Sequence, residues 1–375
     1  MEDAVPERQD VELSTSVVCD SGTYPTGQAM FNSEREARLM KQVQLHGIND
    51  VRLMDVPEPN CGPDDVVVDV AFCGICGSDM GYISAGGARG PGGPAMALGH
   101  EFAGTISAIG AQVRHWRVGQ MVTVSPMSSA NLIGNGGPEG AFAAQVCIRD
   151  AEAPGTVLAL PEGLSPELGA LAEPLSVAFH AVSRVPLNAE SQVLVTGAGP
   201  IGLCCVLALK YFGVKDVVVV EPSEFRRNTA LRLGADAVFP QADGAFWEAL
   251  FQRHGEDNSF FGMRLARTDA YFECSGFDQI LNGLLNFARP RAEIMLIAAY
   301  KHEIALKVSM VMGKELRLAG SMGSGDSFTM ALEYLKTHGD KAAPLISHRF
   351  KLAHFDQALA TARDASIAAK VLVMP

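Results

Sequence analysis

The apolar positions change rhythm along this chain. From residue 41 they come as short runs broken by turn residues, with strands predicted at 51–53 and 66–72 and a turn at 57–63 between them, which reads as an irregular, mainly β region. Around 166–183 the pattern lengthens, with Leu168, Leu171, Leu175 and Phe179 at the three- and four-residue spacing of a helix. From residue 192 the grammar becomes alternating: strands at 193–196, 217–221, 237–239, 270–273, 294–297 and 316–320, with helices at 200–212 and 223–233 and others between the later strands. Such alternation predicts an α/β, doubly wound parallel sheet covered by helices on both faces. The last stretch, 326–375, supplies two helical segments and a terminal strand at 369–374, too little for a domain of its own.

The pattern divides the chain into a polar arm at 1–38, a mainly β domain at 39–175, the doubly wound domain at 176–321 and a segment at 322–375 expected to complete the first domain. Charge then narrows the partners. A net charge of -12 disfavours nucleic acid and anionic membrane surfaces, so a small molecule is the expected partner. No apolar run reaches the roughly 18 residues of a membrane span, and the first residues lack a signal peptide's apolar stretch, so the expected location is the cytoplasm. Eight cysteines in 375 residues are too few for a disulfide framework.

Two motifs carry chemistry. Gly197-Ala198-Gly199-Pro200-Ile201-Gly202 follows an apolar strand and opens a helix, the context in which glycines let backbone N–H groups approach a pyrophosphate. Glu221 ends the next strand, 19 residues after Gly202, where a carboxylate accepts hydrogen bonds from an adenosine ribose. Earlier, Cys73-Gly74-Ile75-Cys76-Gly77-Ser78-Asp79 closes a predicted strand, and Gly99-His100-Glu101 brings a histidine 24 residues after Cys76. Thiolate, imidazole and carboxylate are the ligand types of catalytic zinc.

Together these segments resemble the zinc-containing medium-chain alcohol dehydrogenases, particularly the sorbitol, threonine and butanediol dehydrogenase branch. Besides the motifs above, Glu173-Pro174-Leu175-Ser176, Glu221-Pro222-Ser223, Glu273-Cys274-Ser275-Gly276 and Leu345-Ile346-Ser347-His348-Arg349-Phe350 carry the likeness, over about residues 41–375. The resemblance implies a Rossmann domain plus a GroES-like catalytic domain. It implies a catalytic zinc on Cys76, His100 and Glu101, with Glu173 as a further ligand or a contact to the zinc-bound water, and Ser78 as receiver of the alcohol proton. It also implies NAD held by Gly197, Gly199, Pro200, Ile201, Gly202 and Glu221, with Ser223, Arg226, Cys274 and Ser275 beside it. The implied reaction passes hydride from a secondary alcohol or polyol to NAD, giving the ketone. The implied assembly is a homodimer or homotetramer, joined through an exposed sheet edge at 293–299.

The chain departs from that pattern twice. Relatives with a structural zinc carry four close cysteines in a lobe after the second motif, whereas residues 122–147 contain only Cys147, so a single zinc is expected. Gly81 stands where many relatives place a proton-relay histidine, which leaves water or a ribose hydroxyl to carry the proton. His180 and His348 read as packed histidines, and Cys204 and Cys205 as small apolar residues of the fingerprint helix. The rival readings are a zinc-free NADPH quinone or enoyl reductase and a noncatalytic nucleotide-binding protein on the same fold. The retained Cys76, His100 and Glu101 argue against the first.

Overall fold

The computed structural model describes residues 38–300 and 302–375, so all but Arg38 of the expected arm lies outside the described residues. The β part starts with a hairpin, Leu39–Gly47 against Asp50–Pro57. Its main layer is a seven-stranded sheet in the order Ile346–Lys351, Lys370–Met374, Val66–Gly74, Glu101–Ile109, Met121–Val124, Val157–Ala159, with Gln145–Ile148 paired to Val66–Gly74. The last strand pairs antiparallel with Val66–Gly74, setting Val373 opposite Cys73 and Leu372 opposite Gly74. The end of the chain thereby reaches the Cys76 motif.

The doubly wound part is a six-stranded sheet in the order Ala237–Phe239, Asp216–Val220, Gln192–Thr196, Ala270–Glu273, Glu293–Leu296, Arg317–Gly320, with every pairing parallel. Helices on both faces bury both sides of the central strands. This is why they read as unbroken apolar runs, such as Val217, Val218, Val219 and Val220, all buried. Strand order reverses between Gln192–Thr196 and Ala270–Glu273, and the crevice beyond their carboxyl ends is where such sheets bind ligands.

Four features differ from the sequence reading. The single helix at 166–183 is two, Pro166–Gly169 and Ala172–Ser183. Pro174 has no N–H to donate and its ring would strike the carbonyl of Ala170, so it is accommodated only in the first turn of a new helix. That second helix runs through residue 175, so a helix spans the expected boundary between the two domains. The segment 326–375 holds a strand, Ile346–Lys351, besides its helices and the terminal strand. Finally, Glu293–Leu296 is not a sheet edge. The chain returns through the helix Val308–Gly313 and adds Arg317–Gly320 outside it, so the edge is one strand further out.

Candidate active site

Cys76 follows the strand Val66–Gly74 and caps the helix Gly77–Ala85, a helix with two glycines and little intrinsic propensity. The cap compensates: Asp79 Oδ2 accepts the Cys76 N–H at 2.8 Å, and the pair forms a capping box. Antiparallel pairing sets Gly74 opposite Glu101, so the start of the strand Glu101–Ile109 lies beside the cysteine turn. A Cβ at Gly74 would sit 2.2 Å from Glu101 Oε2, so only glycine leaves the carboxylate its place.

One ligand atom each from Cys76, His100 and Glu101 lies within 4.8 Å of the others. Among the described residues no other group of three such side chains converges this way. His100 Nε2 faces Ser78 Oγ at 3.3 Å, and its Nδ1 lies 3.7 Å from Asp79 Oδ1. Neither that Nδ1 nor that Oδ1 has a hydrogen-bond partner. A carboxylate behind an imidazole fixes the tautomer and aim of a metal-binding histidine. Burial works against a charged His100, yet the Asp79 carboxyl and the Cys76 sulfur beside it override burial and push its pKa up. Burial raises that of Asp79.

Glu101 is engaged by Lys370, whose Nζ lies 2.8 and 2.5 Å from the two carboxylate oxygens and 3.1 Å from the Ile75 carbonyl. Glu173, in the first turn of Ala172–Ser183, stands outside the three-residue cluster but senses it: burial and the charge of Glu101 push its carboxyl up to about 7. Cys73 is buried with its thiol pKa pushed up, the state of an inert packing residue. In the lobe after the second motif, Cys147 Sγ lies 3.8 Å from Asp65 Oδ2, and Arg149 bridges Asp65 and Glu139 at 2.7 and 3.0 Å. A soft thiolate, an imidazole and a carboxylate on one buried point fit zinc.

The fingerprint turn fits a dinucleotide equally well. A Cβ on Gly202 would lie 1.9 Å from the Gly197 carbonyl oxygen, whereas one on Gly199 would meet nothing within 4 Å, so the backbone there is open to a ligand. Gly197, Gly199, Glu221, Ser223, Arg226, Cys274 and Ser275 line one cleft of about 990 Å³, while Pro200 and Ile201 open the helix Pro200–Tyr211 behind it. Glu221 is buried, its Oε2 accepting the Ala198 N–H at 2.7 Å and its Oε1 the Ser223 N–H at 2.9 Å. It therefore ties the fingerprint turn to the start of the next helix.

Sequence reasoning passed over Asp79, Lys370 and the cleft residues Ala365 and Ser366. Asp79 was detectable as the N3 carboxylate of a capping box. Lys370 stands as a lone cation among Ala368, Ala369, Val371 and Leu372, an apolar strand that cannot bury an ammonium without an anionic partner. Nothing local marks Ala365 or Ser366, because only the tertiary fold brings them to the cleft.

Residues 62–186 match the family model described as alcohol dehydrogenase GroES-like domain, and residues 200–337 match that described as zinc-binding dehydrogenase. The chain is 31% identical to a sorbitol dehydrogenase of Arabidopsis thaliana, over 88% of this chain and 93% of that protein. It is 29% identical to an (R,R)-butanediol dehydrogenase of Neisseria gonorrhoeae, over 84% and 92% respectively. The crystal structure of 2R,3R-butanediol dehydrogenase from Bacillus subtilis superposes with a TM-score of 0.76 at 28% identity, covering 90% of this chain and 99% of that one.

Proposed function

The chain belongs to the zinc-containing medium-chain alcohol dehydrogenase family, and from that premise we propose that Cys76, His100 and Glu101 hold one catalytic zinc beside an NAD site built on Gly197, Gly199, Gly202 and Glu221. Membership makes the protein an oxidoreductase of alcohols or polyols that uses zinc and a nicotinamide cofactor. The observation that carries the finer reading is the convergence of the three ligand atoms within 4.8 Å.

A zinc ion there supplies Lewis acidity toward a substrate oxygen, and a bound nicotinamide supplies the hydride acceptor. The chain's own residues do the rest. Asp79 aims the imidazole, Lys370 fixes Glu101, and Glu173, outside the three-residue group, would serve a bound ion as a further ligand or through its water. The Ser78 hydroxyl, 3.3 Å from His100 Nε2, takes the alcohol proton and passes it to water or a ribose hydroxyl, because Gly81 offers no side chain. Pro200, Ile201, Ser223, Arg226, Cys274 and Ser275 complete the nucleotide site.

Glu221 favours NAD over NADP, since a carboxylate repels a 2′-phosphate; discrimination of about tenfold or more, at least roughly 1.4 kcal/mol, is expected in kcat/KM. We place the enzyme in the cytoplasm. No helix among the described residues is long and apolar enough to cross a membrane. A homodimer or homotetramer is supported by the edge strand Arg317–Gly320 and the exposed Val308 and Met312 near it in sequence, and sedimentation showing only monomer would overturn it. The function itself is tested by assaying zinc-loaded protein with NAD against a panel of secondary alcohols and polyols. NADH formation from at least one is expected, and none from any would defeat the reading.

A further inference from the structure

The nucleotide cleft is not the work of the Rossmann part alone. Ala365 and Ser366 line it too, from the turn between the helix Phe355–Arg363 and the last strand Lys370–Met374 of the catalytic sheet. Two bonds tie this turn to the helix Glu224–Arg232, which starts just after Glu221. Ser223 Oγ donates to the Ala365 carbonyl at 2.5 Å, and Arg226 Nε donates to the Ala368 carbonyl at 2.8 Å. The turn is itself stapled by Asp364, whose Oδ1 accepts from the Ser366 N–H at 2.9 Å and the Ser366 hydroxyl at 2.5 Å. Arg227, the neighbouring cation, donates to the carbonyls of Glu221 and Pro222 at 2.9 and 2.6 Å.

We propose that the turn at residues 364–368 is a cofactor-specificity element. By holding the Ser223 hydroxyl and the Arg226 Nε on its carbonyls, it withholds both donors from a 2′-phosphate and fixes the direction of the guanidinium. This rests on the NAD reading and deepens it. Glu221 repels the phosphate, and the turn removes the attraction that would offset the repulsion. Arg226 could offer Nε to a phosphate, or turn its whole guanidinium toward one, only by leaving Ala368 and giving up a charge-assisted hydrogen bond. Because the turn belongs to the catalytic sheet and the helix to the Rossmann part, the latch also joins the two parts of the chain across the cleft.

The test is calorimetric titration of the zinc-loaded enzyme with NAD and with NADP, a binding readout independent of turnover. Asp364 is exposed, so Asp364→Ala is expected to fold while losing the staple. It should shift the ratio of the two dissociation constants toward NADP by about fivefold or more, the size of a modest coupling between sites. Asp364→Asn keeps an acceptor for Ser366 and should leave the ratio within about twofold, a change of under roughly 0.5 kcal/mol. Adding Arg226→Gln to Asp364→Ala should abolish the gain, whereas Arg226→Gln alone should weaken both cofactors alike. The proposal is overturned if Asp364→Asn shifts the ratio as far as Asp364→Ala, which would make charge the cause. It is equally overturned if Arg226→Gln alone weakens NADP selectively, which would mean the arginine already serves a phosphate. Equal binding of NAD and NADP by the unmodified enzyme would defeat the NAD reading only, since the coupling between positions 364 and 226 is measured separately.

Discussion

Lys370 sets its ammonium 2.8 and 2.5 Å from the two carboxylate oxygens of Glu101, in an interior where both side chains are sealed from solvent. The pair joins the last strand of the chain to the histidine-glutamate motif, across 269 positions of sequence. It gives Glu101 a fixed countercharge, and it explains how a carboxylate is stable there before any ion arrives.

Removing the ammonium alone should therefore be costly. Lys370→Met, similar in length but uncharged, is expected to lower the unfolding free energy by about 3 kcal/mol in chelator-treated protein, the range for breaking one side of a buried pair. With zinc bound the loss should shrink, because the ion then faces the orphaned carboxylate. Urea unfolding with and without chelator measures both values, and identical losses would contradict this account of the pair.

Gly81 gives a second expectation. A Cβ there meets nothing within 4 Å, so a side chain can start at this position without striking a neighbour. Gly81→His should raise kcat for alcohol oxidation near neutral pH several-fold and introduce an inflection near the ordinary imidazole pKa of about 6.5, with little change in NAD affinity. A pH profile unchanged from the unmodified enzyme would show that the proton leaves by a route that position 81 does not touch.

The contrast between what the sequence disclosed and what it hid has a physical basis. The strand Ala270–Glu273 was readable to the residue because it is central and buried on both faces, whereas Ala237–Phe239, half-buried at the sheet edge, was readable through its place in the strand–helix alternation. The ligands Cys76, His100 and Glu101 were readable through motif spacing. The helix Gly77–Ala85 was not, because its stability comes from the Asp79 cap rather than from propensity or an apolar stripe. Position in a sheet also escaped: nothing in residues 293–296 reveals that Arg317–Gly320 will pair outside them. Long-range partners such as Lys370 for Glu101, or Ala368 for Arg226, depend on the closed topology and have no local signature.

Away from the site, His254 supplies a pH expectation. It is buried, with Nδ1 2.7 Å from Thr268 Oγ1 and Nε2 3.5 Å from Asp216 Oδ2. Burial lowers its pKa from 6.5 to about 4, a shift that Asp216 opposes and Arg253 reinforces. Between these values the unfolded chain binds more protons than the folded one. The contribution is thus complete above about pH 6.5 and is lost as the pH falls toward 4, by at most about 3 kcal/mol. His254→Gln, which retains a partner for Thr268, should flatten the fall in urea-unfolding free energy over that window. A fall equally steep in the variant would assign it to other groups.

The central claim is that one zinc on Cys76, His100 and Glu101 and one NAD site form a single working centre. Its most direct measurement is zinc content per chain together with NADH formation from a competent alcohol, in the unmodified protein and in Cys76→Ala. The account predicts one zinc per chain and steady NADH production in the first, and neither zinc nor turnover in a folded Cys76→Ala that still binds NAD. Undiminished activity in that variant, or two tightly held zinc ions per unmodified chain, would contradict it.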